Sequence, residues 1–216
     1  MTDVRALRQE VTKRRASVVE SDFGEIPSSI PYLEGLLQKA SSLDDSHLLF
    51  ALILGECTRA DNRPAEVHYL RRQLAALPLQ PIFLASLASA LASVPGAGSE
   101  ALTRCLEAVN LAQKEDRQVR YCLTVQARVA LALHDHETLA ASLKGLIADA
   151  KFERAEDSGY EFDFVDQIDA QRIDPTLLAE YKALALSRGL RLQASASTLL
   201  RHWRKDGIGG TLTFER

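Results

Sequence analysis

Apolar residues fall along this chain in stripes of helical period, separated by short polar or proline-containing breaks. The clearest stripes lie between Ser46 and Ala150, where an alanine-rich apolar motif recurs at intervals of roughly 35–43 residues. Its three copies centre on Leu48-Leu49-Phe50-Ala51-Leu52, on Phe83-Leu84-Ala85-Ser86-Leu87-Ala88, and on Val125-Gln126-Ala127-Arg128-Val129-Ala130-Leu131. Each is followed by a polar break and a second amphipathic stripe. Residues 45–60 are apolar nearly all round, which predicts a helix covered on two sides, with Asp44 or Asp45 as its cap. Asp61-Asn62-Arg63-Pro64 then opens a helix striped by Val67, Leu70, Leu74 and Leu77.

A second pair of helices is predicted over 81–94 and 99–114. It turns at Pro95-Gly96-Ala97-Gly98, with Ser99 as cap and Ala101, Leu102, Cys105 and Val109 facing inward. The third pair, 117–133 and 136–150, turns at His134-Asp135-His136 and is striped by Leu139, Leu143, Leu146 and Ile147. Connections this short make each pair an antiparallel helical hairpin.

The flanks are less regular. Residues 3–20 read as a polar helix with Val4, Leu7, Val11 and Val18 on one face. The stretch 20–31 reads as a loop, and 31–42 as a short helix opened by Pro31, with Leu33, Leu36 and Leu37 on its face. After Ala150 the stripes stop. Tyr160-Glu161-Phe162-Asp163-Phe164 alternates like a strand, Asp174-Pro175 starts a helix reaching Gly189, and a last helix spans 194–205. The tail 209–214 alternates again and pairs with 160–164 in the simplest arrangement, since a lone short strand is not stable. The chain thus divides into N-terminal helices over 1–42, three hairpins over 43–150, and a capping segment over 151–216.

The spacing and the small residues at expected helix crossings, Ala101, Ala108 and Ala127, resemble a degenerate tetratricopeptide repeat array. The third copy carries Leu123, Ala127 and Ala130 where that family has tryptophan, glycine and tyrosine, and Leu139 stands at a position normally small. The resemblance covers about half of the chain. It implies an all-α fold, a TPR-like α-solenoid of stacked hairpins, and a partner-binding scaffold with no catalytic residues to carry over.

Composition fits a soluble globular domain, with 46% hydrophobic and 25% charged residues. The longest apolar run, residues 48–54, is far short of the ~20 needed to cross a bilayer. The charged N-terminus has no apolar stretch of a signal peptide, so a cytoplasmic location is expected. Charge is uneven. Residues 151–174 hold eight acids and three bases, net −5, which leaves +2 for the rest of a chain of net charge −3. Arg188, Arg191, Arg201, Arg204 and Lys205 form a basic stretch around Trp203.

The candidates for chemistry are weak as sets. Cys57, Cys105 and Cys122 have no metal-like spacing and sit in apolar helical contexts, where cysteine is a small core residue. His134 and His136 flank Asp135, which is better placed to cap the following helix than to complete a metal site. Asp163, Asp166 and Asp169 drift around a helix rather than converge. Gly207-Ile208-Gly209-Gly210 lacks the following lysine and hydroxyl of a phosphate loop. No catalytic, cofactor-binding or metal-binding residues are assigned, and no cofactor is expected.

The function expected is therefore non-enzymatic: a scaffold or adaptor that binds another protein, including inhibitor or immunity-type proteins that mask a basic enzyme. Its expected contact patch is Phe152, Tyr160, Glu161, Phe162, Asp163, Phe164, Asp166 and Asp169, where aromatics give area and acids steer a basic partner. The alternatives are a regulatory module contacting nucleic acid through Arg188, Arg191, Arg201, Trp203, Arg204 and Lys205, and an enzyme of unfamiliar type. A pI of about 6.0 argues against a broad nucleic-acid footprint. No membrane partner is expected.

Overall fold

The computed structural model describes residues 4–150 and 164–187. Among these the protein is predominantly helical, with one two-stranded sheet. In chain order the elements are α1 (Val4–Arg14), β1 (Val18–Ser21), β2 (Gly24–Pro27), α2 (Ser29–Leu37), α3 (Leu43–Arg59), α4 (Arg63–Ala76), α5 (Pro81–Leu91), α6 (Gly98–Glu115), α7 (Val119–Ala132) and α8 (His136–Asp149). Residues 175–187 are helical as well. The chain forms two compact units, Met1–Leu139 and Ala140–Arg216.

In the first unit each helix from α1 to α6 packs on the next helix, and α5 also packs on α7. The apolar all-round pattern of α3 has the expected outcome. One side, Leu49, Ile53 and Cys57, joins Leu7, Val11, Ile26, Ile30 and Leu33 in a core, while Phe50 on another side packs with Leu77 and Phe83. Burying each such leucine, isoleucine or phenylalanine side chain contributes about 1.5–3 kcal/mol. Ala101, Ala108 and Ala127 are fully buried, so backbones approach closely there.

The N-terminal expectations need correcting. The polar helix stops at Arg14, and residues 18–27 form an antiparallel hairpin instead of a helix end and a loop. Asp22 and Phe23 make its turn, and Gly24 takes the left-handed φ of +81° that closes such turns. The Ser21 hydroxyl donates to the Gly24 carbonyl (2.7 Å) and accepts from the Phe23 N–H (3.1 Å), which adds side-chain bonds across the turn. Helix α2 then begins at Ser29, two residues before Pro31, because proline fits anywhere in a first turn. The hairpin expected between 160–164 and 209–214 falls almost wholly outside the described residues, as does the helix over 194–205.

Two caps also differ from expectation. Ser42, not Asp44 or Asp45, caps α3: its Oγ accepts from the Asp45 N–H (3.1 Å) and donates to the Asp45 carboxylate (2.8 Å). Ser99 is not the cap of α6, which starts at Gly98 with no side-chain cap on its first amides. Gly98 meets Leu133 closely: a Cβ there would lie 3.1 Å from Leu133 Cδ2, so that side chain would have to give by a few tenths of an ångström. Asn62 and Asp135 cap α4 and α8 as their sequences indicate, each accepting an N–H at 3.0 Å.

Three helices end alike. Asp61, Asp116 and His134 adopt left-handed φ after α3, α6 and α7. The next N–H in each case reaches back to a carbonyl five residues earlier, as Asn62 does to Cys57 (3.0 Å) and Asp135 to Ala130 (2.9 Å). The start of α5 is satisfied from a distance. Its Ile82 N–H donates to Oε1 of Gln118, the residue before α7 (3.2 Å).

In the second unit, Asp174 opens the helix at 175 by accepting from the Thr176 and Leu177 N–H groups (2.8 and 3.0 Å). Those bonds hold its carboxyl below the ordinary range. Ile168, Ile173, Leu177, Leu178 and Tyr181 are buried.

Candidate functional site

The expected acidic-aromatic patch is represented among the described residues by three of its members. Phe164 is 2% exposed and stacks on Tyr181 with ring centroids 6.0 Å apart, so its ring serves the interior of its unit. Asp166 and Asp169 are exposed, and Asp169 accepts from the Gln171 N–H (2.9 Å) in a local turn. Phe152, Tyr160, Glu161, Phe162 and Asp163 lie outside the described residues. So do Arg188, Arg191, Arg201, Trp203, Arg204 and Lys205.

The three thiols are buried, and burial pushes each up to about 12. At neutral pH they are protonated packing groups, as their apolar contexts indicate. Asp135 spends its carboxylate on Thr138, whose N–H (3.0 Å) and hydroxyl (2.8 Å) hold its pKa below the ordinary value. Among the described residues no three His, Cys, Asp or Glu side chains are grouped to hold a metal.

The feature that gathers charge, aromatics and exposed backbone in the first unit is the β-hairpin and the surface beside it. Its base is held by the Ser28 N–H donating to the Ser17 carbonyl (2.8 Å) and by the Ser28 hydroxyl donating to the Arg14 carbonyl (2.7 Å). Ile26 alone of the strand residues is buried, in the core with α2 and α3. The tip is tied down by the Asn62 side-chain amide donating to the Phe23 carbonyl (2.9 Å), and the Phe23 ring lies 4.9 Å from His68. Asn62 thus both caps α4 and holds the hairpin.

Beneath it lies a buried ion pair. Glu56, on the α3 face turned to α1 and α2, is 2% exposed. Arg15 donates to it through Nη2 (2.6 Å) and Nε (2.9 and 3.1 Å), Ser29 Oγ donates at 2.9 Å, and Arg59 stands 3.5 Å away. Burial pushes the Glu56 carboxyl up. The bonds from Arg15 and Ser29 and the neighbouring positive charges outweigh it, and the pKa falls below the ordinary 4.5. This pair ties the segment preceding β1 to α3.

Between the hairpin tip and α4 is an open cleft of about 390 Å³ with Phe23, Val67 and His68 along it and Arg71 and Arg72 at its side. Both arginines are already engaged, Arg71 with Glu100 (2.8 Å) and Arg72 with Glu34 and over the Tyr69 ring. The cleft is therefore a shallow apolar surface with neutralised edges, suited to a side chain of a macromolecule more than to an anion.

The hairpin over residues 18–27 is the surface feature that the apolar pattern concealed. Ser21-Asp22-Phe23-Gly24, turn-forming residues between Val18-Val19 and Glu25-Ile26, are the signal that could have marked it. Compared with family models, curated proteins and solved structures, the chain matches none.

Proposed function

We propose that the protein is a non-enzymatic scaffold that binds another protein, built as stacked helical hairpins in the manner of a tetratricopeptide repeat solenoid. The observation that carries this is contact between helices two apart in sequence. His47 of α3 lies 5.2 Å from Phe83 of α5, ring to ring, Phe50 packs with the same phenylalanine, and α5 packs on α7. These contacts support a reading in which the first helices of successive pairs lie side by side, the way stacking makes an extended face for partners. That face carries small exposed residues, Ala51 on α3 and Ser89 on α5, where a partner's backbone or side chains can approach closely.

The test is site-specific photo-crosslinking in cells of the source organism, with the crosslinker at Ala51, Ser89 or, on α6, Gln113. The same protein captured at both Ala51 and Ser89, and not at Gln113, is the expected result. Crosslinks spread evenly over the three positions, or none at Ala51 and Ser89, would refute the face.

A further inference from the structure

We infer that the outer edge of β1 is a docking edge for an extended segment of another protein, one with a β-branched residue facing Val18 and a lysine or arginine facing Glu20. This rests on the protein-binding reading above and names the chemistry of the partner.

The ladder determines which peptide groups are open. Val18 pairs with Pro27, Val19 with Ile26, Glu20 with Glu25 and Ser21 with Gly24. Antiparallel pairs alternate between those that exchange hydrogen bonds and those that do not. The Ser28 N–H bond to the Ser17 carbonyl sets the phase, so Ser17, Val19 and Ser21 point their backbone groups at β2. Val18 and Glu20 point theirs away, and these groups have no backbone partner among the described residues. On the opposite edge the outward residues are Glu25 and Pro27. Proline has no N–H, so that edge cannot continue a ladder. Among the described residues the hairpin is open on one side only.

Side chains choose the occupant. Val18 is 58% exposed and sits on the same sheet face as Glu20. Glu20 and Glu25 stand directly opposite each other in a non-hydrogen-bonded pair, the closer of the two spacings, where like charges destabilise. Asp22 adds a third acid at the tip, and none of the three has an ion-pair partner among the described residues. An incoming strand with a cation facing Glu20 relieves that repulsion while its neighbour two residues on covers Val18. A second copy of this chain does not supply it: in antiparallel self-pairing through these residues, Glu20 meets position 16, 18 or 20, which is alanine, valine or glutamate.

The probe is the capped heptapeptide Thr-Thr-Lys-Thr-Val-Thr-Thr, compared with its Lys→Glu counterpart and with a form N-methylated at Lys and Val. Titration into the labelled full chain at low salt should move the amide resonances of Val18 and Glu20. The lysine peptide should bind about tenfold tighter than the glutamate peptide, and N-methylation should abolish binding. Val18→Pro, which removes an outward donor and no bond to β2, should weaken binding about fivefold or more. Glu20→Lys should reverse the peptide preference. Equal affinity for the two peptides, indifference to Val18→Pro with the fold intact by circular dichroism, or unmoved Val18 and Glu20 resonances at millimolar peptide would overturn the inference. So would sedimentation showing that the edge joins two copies. Because the crosslinking test reads Ala51 and Ser89, a partner captured there beside a silent edge removes this inference and leaves the scaffold standing. Peptide binding at the edge without those crosslinks does the reverse.

Discussion

Replacing Arg15 with alanine isolates the cost of the buried carboxylate beneath the hairpin. The variant loses every bond that Arg15 makes to Glu56 and leaves it with Ser29 at 2.9 Å and Arg59 at 3.5 Å. Removing one partner of a buried pair costs about 3–5 kcal/mol. Arg15 is 33% exposed, so water already screens part of that interaction, and Arg59 retains part of the charge; the expected loss is about 2–3 kcal/mol. The pH dependence gives the sign. The Glu56 pKa is depressed in the folded protein, so its contribution is fully present above the ordinary 4.5 and is lost as pH falls through the lower folded value. Without Arg15, burial dominates and the carboxyl shifts upward, so the variant gives up this contribution at pH 7. The gap between variant and parent should therefore be widest near neutrality and should narrow below pH 4.5. Urea denaturation followed by far-ultraviolet circular dichroism at pH 7, 5 and 4 measures it. Glu56→Gln should cost less than Arg15→Ala, and the double variant should cost less than the sum of the two. A loss at pH 7 under about 0.5 kcal/mol, or one that does not change with pH, refutes the reasoning.

Gly98→Val should destabilise by about 1–3 kcal/mol, because its Cβ meets Leu133 at 3.1 Å, and Leu133→Ala in the same chain should recover most of the loss in thermal melts. His134→Gly should stabilise by about 0.5–1 kcal/mol, since the residue holds φ +57°; an unchanged urea midpoint would contradict this. Cys57, Cys105 and Cys122 should resist a thiol-specific disulfide reagent in the native protein and react together in urea, with the reaction time course as the readout.

The helices over 43–150 were legible because their apolar stripes have the period of the helices they form, and because Asn62, Asp135 and the prolines mark their starts. The ends of α3, α6 and α7 also fall within a residue of the expected 60, 114 and 133, while α5 stops at Leu91, three residues short of 94. What residue type did not announce is the cap geometry, because Asp61, Asp116 and His134 occupy left-handed positions that glycine usually marks. The β-hairpin was hidden for a different reason. Val18 follows Val11 by seven residues, two helical turns, and extends the stripe of α1, while nearly every residue of β1 is exposed and shows no alternation of apolar and polar positions. Glu56 was passed over within an apolar helix because the arginine that permits its burial is 41 residues away. The docking edge was not legible at all, because which peptide groups face outward follows from register and not from residue type.

The hydrogen bond from Ile82 to Gln118 means that α5 and α6 are not a self-contained module. The cap of one pair is carried in the linker that leads into the next, 36 residues downstream. Duplicating, deleting or transplanting α5 and α6 alone therefore removes that acceptor from the start of α5. In synthesis from the N-terminus, the beginning of α5 likewise lacks this acceptor until residue 118 has emerged.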